Sequence, residues 1–65
     1  MANWHYQVMR HPDGDLAIHE YYPSEKGDGW TKNPVSVDGD SIGDIEQSLR
    51  HMLEDLKKYG IKDYE

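Results

Sequence analysis

Residues 41–60 carry the pattern of a single amphipathic helix, and this segment limits the possible folds more than any other. Ser41 is a favourable N-cap, and Asp44, three residues later, completes an arrangement like a capping box. Gly60 follows in the usual C′ position. About eighteen residues at ~1.5 Å each give a rod of roughly 27 Å, long enough to cross a small sheet. The apolar residues recur at the spacing of one continuous stripe: Ile42, Ile45, Leu49, Met52, Leu53 and Leu56.

Two strands joined by a short turn are predicted upstream of this helix. Pro12-Asp13-Gly14-Asp15 is typical of a tight turn, because Asp-Gly tolerates positive φ. The residues on either side alternate with the period of a strand, so we expect a β-hairpin over residues 4–22. On the first strand the two faces carry Trp4, Tyr6 and Val8 against His5, Gln7 and Met9. On the second they carry Leu16, Ile18, Glu20 and Tyr22 against Ala17, His19 and Tyr21.

A third short strand is predicted at residues 29–33, ending at Pro34 because proline has no N–H to donate. Residues 61–65 are expected either to add a short edge strand or to fray. The expected fold class is therefore α+β, with one domain spanning residues 1–65. Its architecture is a three-stranded antiparallel meander packed by one C-terminal amphipathic helix (β-β-β-α).

The small size of the chain limits the stability of its fold. A domain of 65 residues buries only about 60% of its unfolded surface, so its core is thin. It contains no cysteine, which excludes disulfides. Good helix packing, oligomerisation or a bound partner must supply the remaining stability.

Charge and hydropathy narrow the choice of partner. Thirteen acidic residues against seven basic ones give a net charge of −6, and Lys57-Lys58 is the one place where basic residues adjoin. Because phosphate backbones attract clustered Lys and Arg, we expect no direct binding of nucleic acid.

The first residues lack the features of a signal peptide, and no apolar run is long enough to span a membrane. The expected protein is cytoplasmic, with no membrane contact.

The histidines suggest zinc at first sight, but their spacing argues against a metal site. Neither His-x-His nor His-x-x-x-His occurs, and no cysteine supports them. We interpret His5, His11 and His19 as histidines on the strand surface, with His19 opposite Val8 or Met9. His19 and Tyr21 share a strand face and would suit proton chemistry, yet so small a sheet has little concave volume for a pocket. The sequence therefore predicts no catalytic residue, no metal and no cofactor.

The aromatic residues point to an interface. Phenylalanine is absent, so every aromatic side chain carries a polar group, as is common at protein-binding hot spots. Because one helix covers only one face of a sheet, the other face is either solvated or an interface. The predicted partner-binding residues are Trp4, Tyr6, Tyr21 and Trp30, with Glu46 and Glu54 as charged complement.

Two resemblances bear on function. Ile18-His19-Glu20-Tyr21-Tyr22 and Gly29-Trp30-Thr31-Lys32-Asn33-Pro34-Val35 resemble a group of short bacterial and phage proteins of unassigned function, which implies a fold and a setting but no activity. Gly39-Asp40-Ser41-Ile42-Gly43-Asp44-Ile45 is similar to the start of the helix in HicB-like antitoxins. That resemblance implies three strands before one helix and a basic, RNA-cleaving toxin as partner. The chain departs from those antitoxins in lacking their Pro-Gly step and their DNA-binding region.

The resulting hypothesis is a non-enzymatic module that self-associates or binds a protein partner, in an antitoxin-like or regulatory role. The first alternative is a phage-type acidic inhibitor that blocks a nucleic-acid-binding protein. The second is a small metal-binding protein or enzyme that uses His19 and its neighbours.

Overall fold

The computed structural model describes residues 3–65; the first two residues of the predicted domain lie outside this range. Its elements are β1 (His5–Arg10), β2 (Leu16–Tyr22), β3 (Gly29–Trp30), α1 (Ile42–Tyr59) and β4 (Ile61–Asp63). The four strands form one sheet in the order β3-β2-β1-β4. The fold is therefore α+β.

The predicted hairpin is confirmed. Strands β1 and β2 pair antiparallel, with Val8 opposite Ile18 and Gln7 opposite His19. The expected partner of His19, either Val8 or Met9, was therefore wrong by at least one residue. At the turn, Gly14 adopts φ 93° and its N–H donates to the carbonyl of His11 at 2.8 Å. This is the positive φ that the Asp-Gly step predicts.

Strand β3 is shorter than predicted, but the chain continues beside β2 after it ends. The Thr31 N–H donates to the Glu20 carbonyl at 3.0 Å, and the Val35 N–H donates to the Ile18 carbonyl at 2.8 Å. Pro34 lies between these two bonds and has no N–H to contribute. Residues 31–35 thus extend the edge of the sheet without forming a regular ladder.

The prediction of a three-stranded sheet requires a correction, because residues 61–63 form a fourth strand. Strand β4 pairs parallel with β1, with Val8 opposite Ile61, so the sheet is mixed. Parallel neighbours need a crossover connection, and α1 lies on the connection that leads into β4. The edge strand that the sequence left open is thus present, next to β1.

The sheet is curled, so that its outermost strands approach each other. Strands β3 and β4 lie at opposite edges, yet the rings of Trp30 and Tyr64 are only 5.9 Å apart. The Tyr64 hydroxyl also donates to the Lys32 carbonyl at 3.3 Å. This curvature encloses one face of the sheet and accounts for the complete burial of Gln7 and His19 on it.

The helix begins and ends as its sequence predicts. The Ser41 Oγ accepts a hydrogen bond from the Asp44 N–H at 3.2 Å, and the Asp44 carboxylate accepts one from the Asp40 N–H at 3.2 Å. Gly60 adopts φ 67° and donates its N–H to the Leu56 carbonyl at 3.2 Å. These contacts satisfy backbone groups that a helix end otherwise leaves unpaired.

The core is small and partly polar. Among the residues described, its buried apolar members are Val8, Met9, Tyr21 and Met52, and its buried polar members are His5, Gln7 and His19. Gln7 donates to the carbonyls of Val8 and Gly60, while its own side-chain oxygen is buried with no hydrogen-bond partner among residues 3–65. An unpaired buried oxygen costs stability, so polar residues weaken an already thin core.

The sequence prediction that the whole helical stripe packs on the sheet was wrong. Met52 is its one buried member among the described residues, and Ile45 is half-buried. The other four apolar residues of the stripe face solvent.

Candidate functional site

An apolar ridge runs along the exposed side of α1. Ile42, Leu49, Leu53 and Leu56, which we name the helix ridge, are exposed by 87%, 50%, 53% and 43%. At 3.6 residues per turn these four positions share one side of the helix. Large apolar side chains exposed together mark interaction surfaces more often than isolated ones do.

The rotation of the helix explains why the ridge is exposed. The side that meets the sheet carries Ile45, Ser48, Met52 and Asp55, all buried or half-buried. This side lies roughly a quarter turn around the helix from the ridge. Two of its four residues are polar, so the helix faces the sheet with the less apolar part of its circumference.

Two specific contacts fix that rotation. The Asp55 carboxylate accepts a hydrogen bond from the backbone N–H of Tyr6 at 2.9 Å. At the end of the helix, the Tyr59 ring stacks on the buried His5 ring with 3.5 Å between centroids and 12° between planes. Turning the ridge toward the sheet would break both contacts, so these two interactions keep the ridge exposed.

A rim of alternating charge borders the ridge on the side away from the sheet. The rim consists of Glu46, Arg50, Glu54 and Lys57. Arg50 and Glu46 form an i,i+4 ion pair at 3.6 Å. Two of the predicted partner-binding residues, Glu46 and Glu54, therefore lie beside the helix ridge.

The structure does not bring the four predicted aromatic residues together. Trp4 contacts Tyr6 edge-to-face at 5.1 Å, and Tyr21 stacks parallel to Trp30 at 5.7 Å. The strand register places Tyr6 and Tyr21 on opposite faces of the sheet. Tyr21 is also buried, whereas Trp4 is 43% exposed and presents more of its surface to a partner.

Tyrosine hydroxyls in this sheet are held by carboxylates. The Tyr21 hydroxyl donates to Asp28 at 2.6 Å, and this bond, aided by burial and the negative charge, raises the pKa of Tyr21 to about 12. The same bond lowers the pKa of Asp28. The Tyr22 hydroxyl donates to Glu20, which raises the pKa of Tyr22. Burial, with smaller effects of Glu20 and Asp55, raises the pKa of Tyr6.

His11 and His19 form a hydrogen-bonded pair inside the curl of the sheet, where the sequence predicted histidines on the strand surface. His19 is completely buried and His5 nearly so, which corrects that interpretation. The Nε2 atoms of His11 and His19 are 2.9 Å apart, and His19 Nδ1 lies 2.8 Å from the Thr31 carbonyl. A carbonyl only accepts, so Nδ1 of His19 carries a proton, and the two Nε2 atoms share a second hydrogen bond.

This pair has the geometry of a structural hydrogen bond. Within residues 3–65 no group of three or more histidine and carboxylate side chains is placed to hold a metal ion. Tyr21 shares a face with His19, but its hydroxyl is already bound to Asp28. The contacts of His19 connect β2 to the turn and to residue 31, so we assign this group to the fold.

In the part of the chain that the structure describes, α1 lacks the apolar composition needed to cross a lipid bilayer. Comparisons with protein-family models, with curated proteins and with solved structures found no match. The site is therefore interpreted from its own geometry.

Proposed function

We propose that this chain is a non-enzymatic, cytoplasmic interaction module that acts by protein–protein contact through the helix ridge. One observation supports the proposal above all others: four large apolar residues are exposed on one side of a helix, whereas the buried apolar core of residues 3–65 has only four members. Leaving so much apolar surface in water is costly for a protein with so little of it buried. A bound protein would remove that cost.

An antitoxin-like or regulatory role is the most concrete form of this proposal. Three antiparallel strands precede the helix, and Ser41 caps it, as the resemblance to HicB-like antitoxins implies. The net charge of −6 suits a basic partner. Glu46 and Glu54 beside the ridge would contact that charge, and the exposed part of Trp4 would add an aromatic anchor.

The acidic inhibitor differs from this proposal in its response to salt. An inhibitor that mimics nucleic acid relies on charge, so its affinity falls steeply as ionic strength rises. A ridge-centred interface relies on apolar burial and changes little over the same range. Titrating a captured partner at low and high salt separates the two.

A photoreactive amino acid at position 53 tests whether the ridge meets a protein in cells. Leu16, on β2, is exposed by 53%, the same fraction as Leu53, and serves as the matched control. We expect a covalent adduct from position 53 and little or none from position 16. Equal labelling at both positions, or no adduct at position 53, would contradict the proposal.

A further inference from the structure

We propose that the occupant of the helix ridge is a second copy of this chain, bound antiparallel about a two-fold axis near His51 and Met52. This inference rests on the proposed function and takes its self-associating form, in which the basic side chains that meet Glu46 and Glu54 come from the rim of the second copy. It follows from three properties of the ridge and its rim.

The first property is the amount of apolar surface left uncovered. Leu49, Leu53 and Leu56 are each about half exposed, Ile42 more so, and Ile61 directly after the helix is 50% exposed. Stable interfaces cover about 800 Å² on each partner around an apolar centre. The four large aliphatic side chains of the helix ridge supply that centre, and the charged rim supplies its border. A second copy brings the same set, so both exposed ridges are buried in one contact.

The second property is the order of charge along the rim. In an antiparallel helix pair related by a two-fold axis, the same side of both helices meets itself in reverse order. The rim reads Glu46, Arg50, Glu54, Lys57, so its signs alternate from acidic to basic. With the axis between residues 51 and 52, Glu46 faces Lys57 of the second copy and Arg50 faces Glu54. Each pair occurs twice by symmetry.

The third property is that the apolar residues match about the same axis. Leu49 faces Leu53 of the second copy, and Ile42 lies at the level of the C-terminal end of the opposite helix. Ile42 is the most exposed large apolar residue of the described chain, and this arrangement brings it next to the second copy. Charge pairs and apolar pairs thus point to one register.

A parallel pair lacks these matches. In a parallel pair every residue lies at the same height along the axis as the same residue of the second copy. Glu46 is then level with Glu46, and Glu54 is level with Glu54. The two helix dipoles also point the same way, whereas in the antiparallel pair the N-terminus of each helix lies near the C-terminus of the other. Complementarity therefore selects the antiparallel orientation.

Sedimentation equilibrium over a range of concentrations measures the assembly. We expect a reversible dimer for the natural chain and for Leu16→Glu, and a monomer for Leu53→Glu, although both leucines are equally exposed. Circular dichroism of each variant verifies that it is folded. A natural chain that stays monomeric at every concentration would overturn the inference. An adduct from position 53 to a different protein would then still support the proposed function.

Charge reversal tests the register without touching the apolar ridge. We expect Glu46→Lys and Lys57→Glu each to weaken the dimer about three- to tenfold, because either change sets like charges opposite each other twice. The double variant restores opposite signs and should recover most of the affinity. If the double variant is as weak as the two single ones combined, the proposed pairing is wrong.

Disulfide trapping tests the orientation of the two helices. Because the natural chain has no cysteine, only the introduced cysteines can form disulfides. A mixture of Glu46→Cys and Lys57→Cys chains is oxidised under mild conditions. The antiparallel pair predicts mainly mixed disulfides, because positions 46 and 57 of one helix are roughly 16 Å apart. Predominantly like-with-like disulfides would show a parallel pair and overturn the inference.

Discussion

The hydrogen bond from the Tyr21 hydroxyl to Asp28 makes stability depend on pH in a defined way. The folded state raises the pKa of Tyr21 from its ordinary 10.0 to about 12, so folded chains hold this proton where unfolded chains have lost it. Its stabilising effect is complete below pH 10 and disappears as the pH rises toward 12. The pKa of Asp28 shifts downward from 3.8, so its contribution is present above that pH and disappears on acidification.

We therefore expect Tyr21→Phe to unfold at lower urea concentration than the natural chain at neutral pH. The difference between the two chains should shrink above pH 10, where the natural chain loses the benefit of the bond. Urea denaturation at a series of pH values gives this difference directly. Tyr22→Phe is the comparison: its hydroxyl also donates to a carboxylate, but this pair is exposed, so the same trend should appear with a smaller amplitude. A difference that stays constant to pH 12 would contradict the assignment.

The histidines show what local sequence does not determine at the scale of a residue. Alternation separates the two faces of β1 and of β2 but leaves their register open, and the structure places His5 and His19 on a common face. Tyr59 and Tyr64, which come from far along the chain, cover them: Tyr59 stacks on His5, and the Tyr64 ring lies 5.5 Å from that of His19. No periodicity in residues 4–22 signals those contacts. A face rich in histidine and glutamine therefore appeared solvated when the curl of the sheet encloses it.

At the scale of the element, Ser41 carries a testable part of the helix. Its Oγ accepts the Asp44 N–H at 3.2 Å, and alanine removes that acceptor. We expect Ser41→Ala to lower the free energy of unfolding by about 1 kcal/mol. Ser36→Ala, at an exposed position in the extended segment before the helix, should change it little. Thermal and urea unfolding measure both, and equal effects would show that the cap is not important.

Elements set by local patterns were predictable, and those set by distant partners were not. Strands β1 and β2 and helix α1 follow from alternation, turn residues and caps, all within a few residues of one another. Strand β4 depends on pairing with β1, some fifty residues earlier, and three exposed residues carry no pattern that names that partner.

The rotation of α1 was likewise hidden from the sequence. The hydrophobic stripe predicts which side of a helix is buried, and in most small domains that side packs against the sheet. Here Asp55 binds the Tyr6 N–H and Tyr59 stacks on His5, so the sheet takes the neighbouring side. A signal was nevertheless present: Ser48 and Asp55 fall between the apolar positions at the same spacing, which indicates that two different sides of the helix are in use.

At the scale of the whole molecule, a dimer would show itself in thermal unfolding. When folding and association are coupled, raising the protein concentration raises Tm by mass action. We expect Tm of the natural chain to increase by several degrees from micromolar to near-millimolar concentration. Leu53→Glu should have a lower Tm that does not depend on concentration. Scanning calorimetry or circular dichroism at several concentrations makes the comparison, and a constant Tm for both chains would speak against coupling.

The parallel pairing of β1 with β4 has a consequence for biosynthesis. One edge of the first strand stays unpaired until the ribosome has added residues 61–63, after the entire helix. Until then the nascent hairpin carries open backbone donors and acceptors beside its apolar residues, the combination that favours wrong pairing with other chains. Completion of the sheet therefore waits until β4 has been synthesised and released from the ribosome, and chaperones that shield exposed strand edges should raise the yield of folded protein.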